Sequence, residues 1–130
     1  MLSRADYEAL EETAHLLRVP ANAKRLIESL QQALSRSTRA ARPRPVRLVF
    51  TPNGWQDYTH WVTADRTMLK RINRLMDDAL RDPTSGIGKP EPMRHLLAGA
   101  WSRRITEEHR LVYLVDGDDL VLLQARFHYK

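Results

Sequence analysis

The run SRSTRAARPRPV at residues 35–46 carries four arginines, two prolines and no acid, and it divides the chain. Pro43 and Pro45 oppose helix, no apolar residue recurs there with a helix or strand period, and little in the run can be buried. It reads as a flexible linker, and a tether of about 12 residues spans roughly 20 Å root-mean-square. The 130-residue chain is therefore expected as a leading segment 1–34, the linker 35–46 and a main segment 47–130. The partition also locates the charge. Residues 1–34 hold four basic residues against five acidic ones, and residues 47–130 hold thirteen against eleven. Most of the +5 net charge thus belongs to the linker, so a pI near 10.0 does not by itself imply a nucleic-acid ligand. The chain has no cysteine, which excludes disulfides, thiolate nucleophiles and cysteine zinc sites. Mean hydropathy is −0.52, and no apolar run approaches the roughly 20 residues of a membrane span. A cytoplasmic protein with no membrane partner is expected.

The leading segment is patterned as two helices. Tyr7, Leu10, Ala14 and Leu17 recur at spacings of three and four, which predicts one apolar face, with Ser3 as its N-cap. Pro20 interrupts that pattern and is placed to open a second helix, whose face is Ala23, Leu26 or Ile27, Leu30 and Leu34. Two such helices cannot enclose a core and need a partner surface.

The main segment opens on a short strand, Arg47 to Thr51, followed by a turn at Pro52-Asn53-Gly54. Trp55, Tyr58 and Val62 mark a short helix, with Trp61 beside them. Asp65 caps a longer one whose stripe is Met68, Leu69, Ile72, Leu75, Met76 and Leu80, ending at Asp82-Pro83. The tryptophans and methionines are expected in the core. Thr84 to Pro92 reads as a loop. Three strands follow near 97–105, 110–115 and 120–127, the last two joined by the turn signal Asp116-Gly117-Asp118-Asp119. Leu120 to Leu123 is continuously apolar and predicts a strand buried on both faces. This order predicts an α+β fold, an antiparallel sheet packed on two helices.

No phosphate-binding glycine loop, GxSxG or HExxH occurs, and the five histidines lack ligand spacing, so neither metal nor cofactor is expected. The remaining chemistry is a set of charged residues on or beside the strands: Lys89, Glu91, Arg94, His95, Arg103, Arg104, Arg110, Arg126 and His128. Alternation puts Ser102 and Arg104 on one face of their strand and Arg103 on the other. A sheet face bearing Arg and His beside a Glu-bearing loop can hold a phosphodiester. Glu91 or His128 can serve as base, His128 as acid, and Arg110 with Arg94 as the cationic clamp.

Residues 47–130 resemble the RelE/YoeB superfamily of toxins, through Gly88-Lys89-Pro90-Glu91-Pro92, the run Trp101 to Tyr113 (WSRRITEEHRLVY) and the end Arg126-Phe127-His128-Tyr129. Residues 1–34 resemble the C-terminal part of antitoxins of the Phd/YefM family, through Tyr7-Glu8, Leu10 to Ala14, Leu16-Leu17-Arg18 and Pro20 to Ala23. The first resemblance implies a microbial-RNase-like fold and a ribosome-dependent mRNA endonuclease acting in the A site. Attack by the RNA 2′-hydroxyl would be metal-free and leave a 2′,3′-cyclic phosphate. It implies Glu91 as general base, Arg110 as transition-state arginine, His128 as general acid and Tyr129 as a positioning tyrosine. Lys89, Arg94 and Arg104 become substrate-binding residues. Arg94 stands where the family has lysine, and Phe127 where it has tyrosine. The second resemblance implies a helical segment that neutralises the toxin in cis or trans, through Tyr7, Leu10, Leu17, Leu26 and Leu30, with Glu8, Glu11 and Glu12 facing its arginines. A homodimer is a further expectation. The alternative to an enzyme is a catalytically silent interaction or co-repressor module.

Overall fold

The structure is a computed structural model that describes residues 4–35, 47–93 and 99–126. Two helices lead, α1 (Arg4–Leu17) and α2 (Pro20–Leu34). Pro20 opens α2 as a first-turn residue, where its missing N–H costs nothing. The corner between them is closed by Asn22, whose Nδ2 donates to the Leu16 carbonyl at 2.6 Å and satisfies a group the end of α1 leaves open.

The main segment follows as β1 (Arg47–Phe50), α3 (Pro52–Ala64), α4 (Arg66–Arg81), β2 (Glu91–Pro92), β3 (Ala100–Arg104), β4 (Arg110–Asp116) and β5 (Asp119–Gln124). Pro52-Asn53-Gly54 is the first turn of α3 rather than a separate turn. The Thr51 side chain caps it by accepting from Gly54 N at 3.0 Å. Glycine is required at 54 because a Cβ there would lie 2.3 Å from the Leu122 carbonyl oxygen, so α3 sits directly on β5. Asp65 caps α4 as expected, accepting from Thr67 N and Met68 N.

The sheet order is β1-β5-β4-β3-β2. β3, β4 and β5 form the expected antiparallel meander, β2 adds antiparallel to β3, and β1 runs parallel to β5, so the sheet as a whole is mixed. The α3 and α4 crossover brings the chain back to the far edge, which returns β5 alongside β1 in the same direction.

Cores lie on both faces. Ile72, Leu75 and Met76 of α4 and Trp61 of α3 pack against Leu111, Tyr113, Leu120 and Leu122. On the opposite face Leu16, Leu26, Leu30 and Ala33 cover Val112, Leu114, Val121 and Leu123. β5 is buried on both faces, as its apolar run predicts, and the leading helices supply the second cover. Two expectations about facing are corrected. Trp55 and Val62 are exposed, and Trp61 is the buried tryptophan of α3, its Nε1 donating to the Ala125 carbonyl at 2.9 Å. On α1 the buried side is Ala9, Glu12, Thr13 and Leu16, whereas Tyr7 and Leu10 are 55% and 38% exposed.

Arg103, a candidate for chemistry by charge alone, is a structural hub. Its side chain is fully buried on the α4 face. Nε donates to Tyr113 Oη at 3.0 Å, and one terminal nitrogen donates to Asp78 Oδ2 at 2.6 Å and Ile87 O at 3.0 Å. The other donates to Asp82 O at 2.7 Å and Ser85 O at 2.9 Å. It thereby stitches the loop after α4 to the sheet.

Candidate active site

Where α1 crosses the β2–β3–β4 end of the sheet, the apolar face gives way to charge. The register sets Glu91 opposite Ser102 and Arg104 opposite Arg110, so four polar side chains share one face with Ala100 and Val112. β2 was expected as loop. Its pairing with β3 is what fixes Glu91 against Ser102. Ahead of it, Gly88 and Lys89 both take positive φ, 79° and 51°. Gly88 O accepts from Arg104 N at 2.7 Å, and the bend sets Lys89 at the rim beside Glu91, with Nζ 4.0 Å from Glu91 Oε1.

Arg110 is 3% exposed. One terminal nitrogen donates to the carbonyls of Thr106 and Glu107, both at 2.8 Å, which fixes the plane of the guanidinium. Its Nε donates to Oε1 of Glu12, a residue of α1, and the same oxygen accepts from Ser102 Oγ at 3.1 Å. Glu8, one turn earlier, lies 3.8 Å from Lys89 Nζ. α1 therefore roofs a cleft of about 460 Å³ lined by Glu8, Glu12, His15, Lys89, Glu91 and Arg110, among others.

This setting shifts two groups. Burial raises the Glu91 carboxyl above its ordinary 4.5, the Glu8 and Glu12 carboxylates add to that, and Lys89 and Arg104 oppose it. Burial, and then the charge of Arg110, lowers the His15 imidazole below 6.5 against the pull of Glu12. A histidine depressed in the docked state binds fewer protons there than when α1 is free. Docking is then strongest above pH 6.5 and weakens as the pH falls through 6.5 toward the docked value. The protection of α1 amides, taken relative to intrinsic exchange at each pH, is expected to fall between pH 7 and 5 by more in the wild-type chain than in a His15→Gln chain. Glu91 titrates in both, so the difference isolates the histidine, and parallel profiles would remove this assignment.

Of the candidate residues, Glu91, Lys89, Arg104 and Arg110 come together at the cleft. Arg94, His128 and Tyr129 lie outside the described residues. The strand leading toward the last two is anchored at Ala125, whose N–H donates to Asp57 Oδ2 at 3.2 Å and whose carbonyl accepts from Trp61. In the leading helices Leu26 and Leu30 are buried on the sheet and Leu17 packs beside them. Tyr7 and Leu10 point away, and their place is taken by Glu12, Thr13 and Leu16. Among site residues, Ser102 had been placed only as a face-mate of Arg104. Strand alternation was the signal available for it.

The family model for YoeB-like toxins of bacterial type II toxin-antitoxin systems matches residues 50–129. The chain is 56% identical over 84 residues to Toxin YoeB of Streptomyces coelicolor, a match covering 65% of this chain and 100% of the relative. Over 35 residues in the N-terminal region it is 51% identical to Antitoxin YefM of Escherichia coli K12, covering 27% of this chain and 42% of that protein. Among solved structures it is similar to the YoeB dimer from Staphylococcus aureus and to a chain of the heterotetrameric YoeB-YefM toxin-antitoxin complex of that organism. Each has a TM-score of 0.60 and 39% identity, and covers 65% of this chain and 98% of the other. With the family model matching residues 50–129 and the whole length of Toxin YoeB matched at 56% identity, the chain belongs to the YoeB-like toxins of bacterial type II toxin-antitoxin systems.

Proposed function

We propose that residues 47–130 form an mRNA endonuclease that acts on the ribosome in the cytoplasm, and that residues 1–34, tethered by residues 35–46, hold it neutralised. The observation that carries this reading is the Glu12 carboxylate of α1 on Arg110, the arginine best placed to hold a phosphate. In the proposed step Glu91 accepts the proton of the 2′-hydroxyl, and O2′ attacks phosphorus. The O2′–P bond forms as the P–O5′ bond breaks. His128 donates its proton to O5′, and Tyr129 positions the strand. The products are a 2′,3′-cyclic phosphate and a 5′-hydroxyl. Arg110 stabilises the charge building on the phosphoryl oxygens, and Lys89, Arg94 and Arg104 hold flanking phosphates. A carboxyl raised by burial is a stronger base, which suits a group that must take the 2′-hydroxyl proton.

The partner of the catalytic face is then an antitoxin-type helix, here in the same chain, and the ribosome with its A-site mRNA once that helix is lifted. A second copy of the chain is a further partner, by analogy with the Staphylococcus aureus dimer. A chain beginning at Val46 is expected to arrest a cell-free translation reaction and cut ribosome-bound mRNA, while the full chain does neither at equal concentration. Equal arrest by both would end the neutralisation reading. No cleavage by either would favour the silent interaction module.

A further inference from the structure

Resting on the RNA-cutting assignment above, we propose that the Ser102 hydroxyl and Arg110 together form the seat of a non-bridging phosphoryl oxygen, which makes Ser102 a catalytic residue. Glu12 marks that seat. A single oxygen, Oε1, accepts from donors on two adjacent strands, Arg110 Nε on β4 and Ser102 Oγ on β3. A carboxylate oxygen and a phosphoryl oxygen take the same kind of charge-assisted hydrogen bond, so Glu12 Oε1 stands in for the phosphoryl oxygen of an RNA strand.

Ser102 is 1% exposed; its face-mates along β3 are Ala100 and Arg104 and across to β4 it meets Val112, and none of these side chains is an acceptor. A hydroxyl at such a position needs an acceptor. When α1 lifts, a phosphoryl oxygen at the same point restores the bonds of both donors at once. Register adds the second half of the argument. Ser102 lies directly across the β2–β3 pair from Glu91, and opposite residues on one face have Cβ atoms about 4.5–5.5 Å apart. The hydroxyl thus sits between the proposed base and the arginine. As O2′–P forms and P–O5′ breaks, charge builds on the oxygen it holds. Its donor is set in place beforehand by a strand rather than a loop.

The alternative is that Ser102 only anchors Glu12 and serves neutralisation alone. A Glu12→Ala full-length chain separates the two, because it opens the seat and removes the anchor's partner. Adding Ser102→Ala is expected to lower kcat on ribosome-bound mRNA by about 10- to 100-fold, with KM changed by less than about threefold. Adding Ser102→Thr instead, which keeps a hydroxyl, is expected to restore kcat to within about fivefold of the Glu12→Ala chain. Uridine 3′-monophosphate, used as the phosphate probe, is expected to bind the Glu12→Ala/Ser102→Ala chain about tenfold more weakly than the Glu12→Ala chain. Equal cleavage and equal probe affinity with and without the hydroxyl would overturn the proposal. If neither the Glu12→Ala chain nor the chain beginning at Val46 cuts mRNA, the RNA-cutting assignment has failed, and the probe titration still decides the seat. No binding of the probe, or binding indifferent to Ser102, counts against it.

Discussion

An Arg103→Leu chain is expected to lose about 3–5 kcal/mol of unfolding free energy, seen as a lower urea midpoint at neutral pH. The substitution keeps a buried apolar volume but removes the Arg103 donor from every acceptor it serves, while Asp78 retains Arg81 and the Ile87 N–H. Asp78 Oδ2 and the carbonyls of Asp82, Ser85 and Ile87 all face Arg103 nitrogens at 2.6–3.0 Å. Leaving a half-buried carboxylate and three carbonyls short of donors is the expensive half of breaking such a pair. Arg103→Lys is expected to recover only part of the loss, because an ammonium cannot spread donors over that fork. Acid titration checks the same hub independently. Burial works to raise the Asp78 carboxyl, but hydrogen bonds from Arg103, Arg81 and the Ile87 N–H outweigh it and hold it at about 2 against an ordinary 3.8. A carboxyl depressed in the folded state contributes stability above pH 3.8 that is lost as the pH falls toward 2. The wild-type chain should therefore lose stability across that window faster than the Arg103→Leu chain. Equal midpoints for wild type and Arg103→Leu in urea would show that the hub is not what holds the loop to the sheet.

Glu12→Arg is expected to turn the full-length chain into one that arrests translation as the Val46 chain does. The substitution sets a second cation against Arg110 in a site where both side chains are less than a tenth exposed. Like charges so placed repel, and α1 has little else to hold it. Among its described side chains the fully buried apolar ones are Ala9 and Leu16, and the larger contributes only about 2 kcal/mol. At 14 residues, α1 is also too short to persist as an isolated helix. α2 is tied differently. Ser29 Oγ donates to the Leu123 carbonyl at 2.6 Å, and Arg25 pairs with Asp57 of α3 at 2.6 Å. Amide exchange should then become fast for α1 and stay slow for α2. Unchanged protection of α1 in the Glu12→Arg chain would mean that the carboxylate is not its anchor.

The legible parts of the fold were those written in local patterns. Pro20, Asp65 and the stripe from Met68 to Leu80 specify α2 and α4 by mechanisms that act within a turn or two. The turn at Asp116–Asp119 and the double burial of β5 follow from a two-residue loop and an uninterrupted apolar run. β2 was not legible. It has two residues, Glu91 and Pro92, directly after Pro90, and only its pairing with β3 makes it a strand. Nor was the direction of β1, because a strand's partner is not encoded in the strand itself. The face of α1 was misread for an instructive reason. Ranking apolar residues selects Tyr7, Leu10 and Leu17, but this helix docks on a charged rim, where a carboxylate that meets a buried arginine is an inward-facing residue. In the site, Glu91, Arg110 and Lys89 were legible through their motif, and Arg103 was not separable from them by charge. Its parity along β3 sends it to the opposite face, among the carbonyls of the loop after α4.

The double cover of the sheet has one more consequence. α1 guards charges, whereas α2 shields oil: beneath it lie Val112, Leu114, Val121 and Leu123, a surface as greasy as the interior on the other side. A protease trimming the chain ahead of Pro20 would uncork the cleft and leave that surface wrapped. One cutting in the linker would release a molecule whose solubility depends on finding company. On the proposed reading the leading segment is thus a latch and a raincoat sewn together, and only the latch would have to open for RNA to enter.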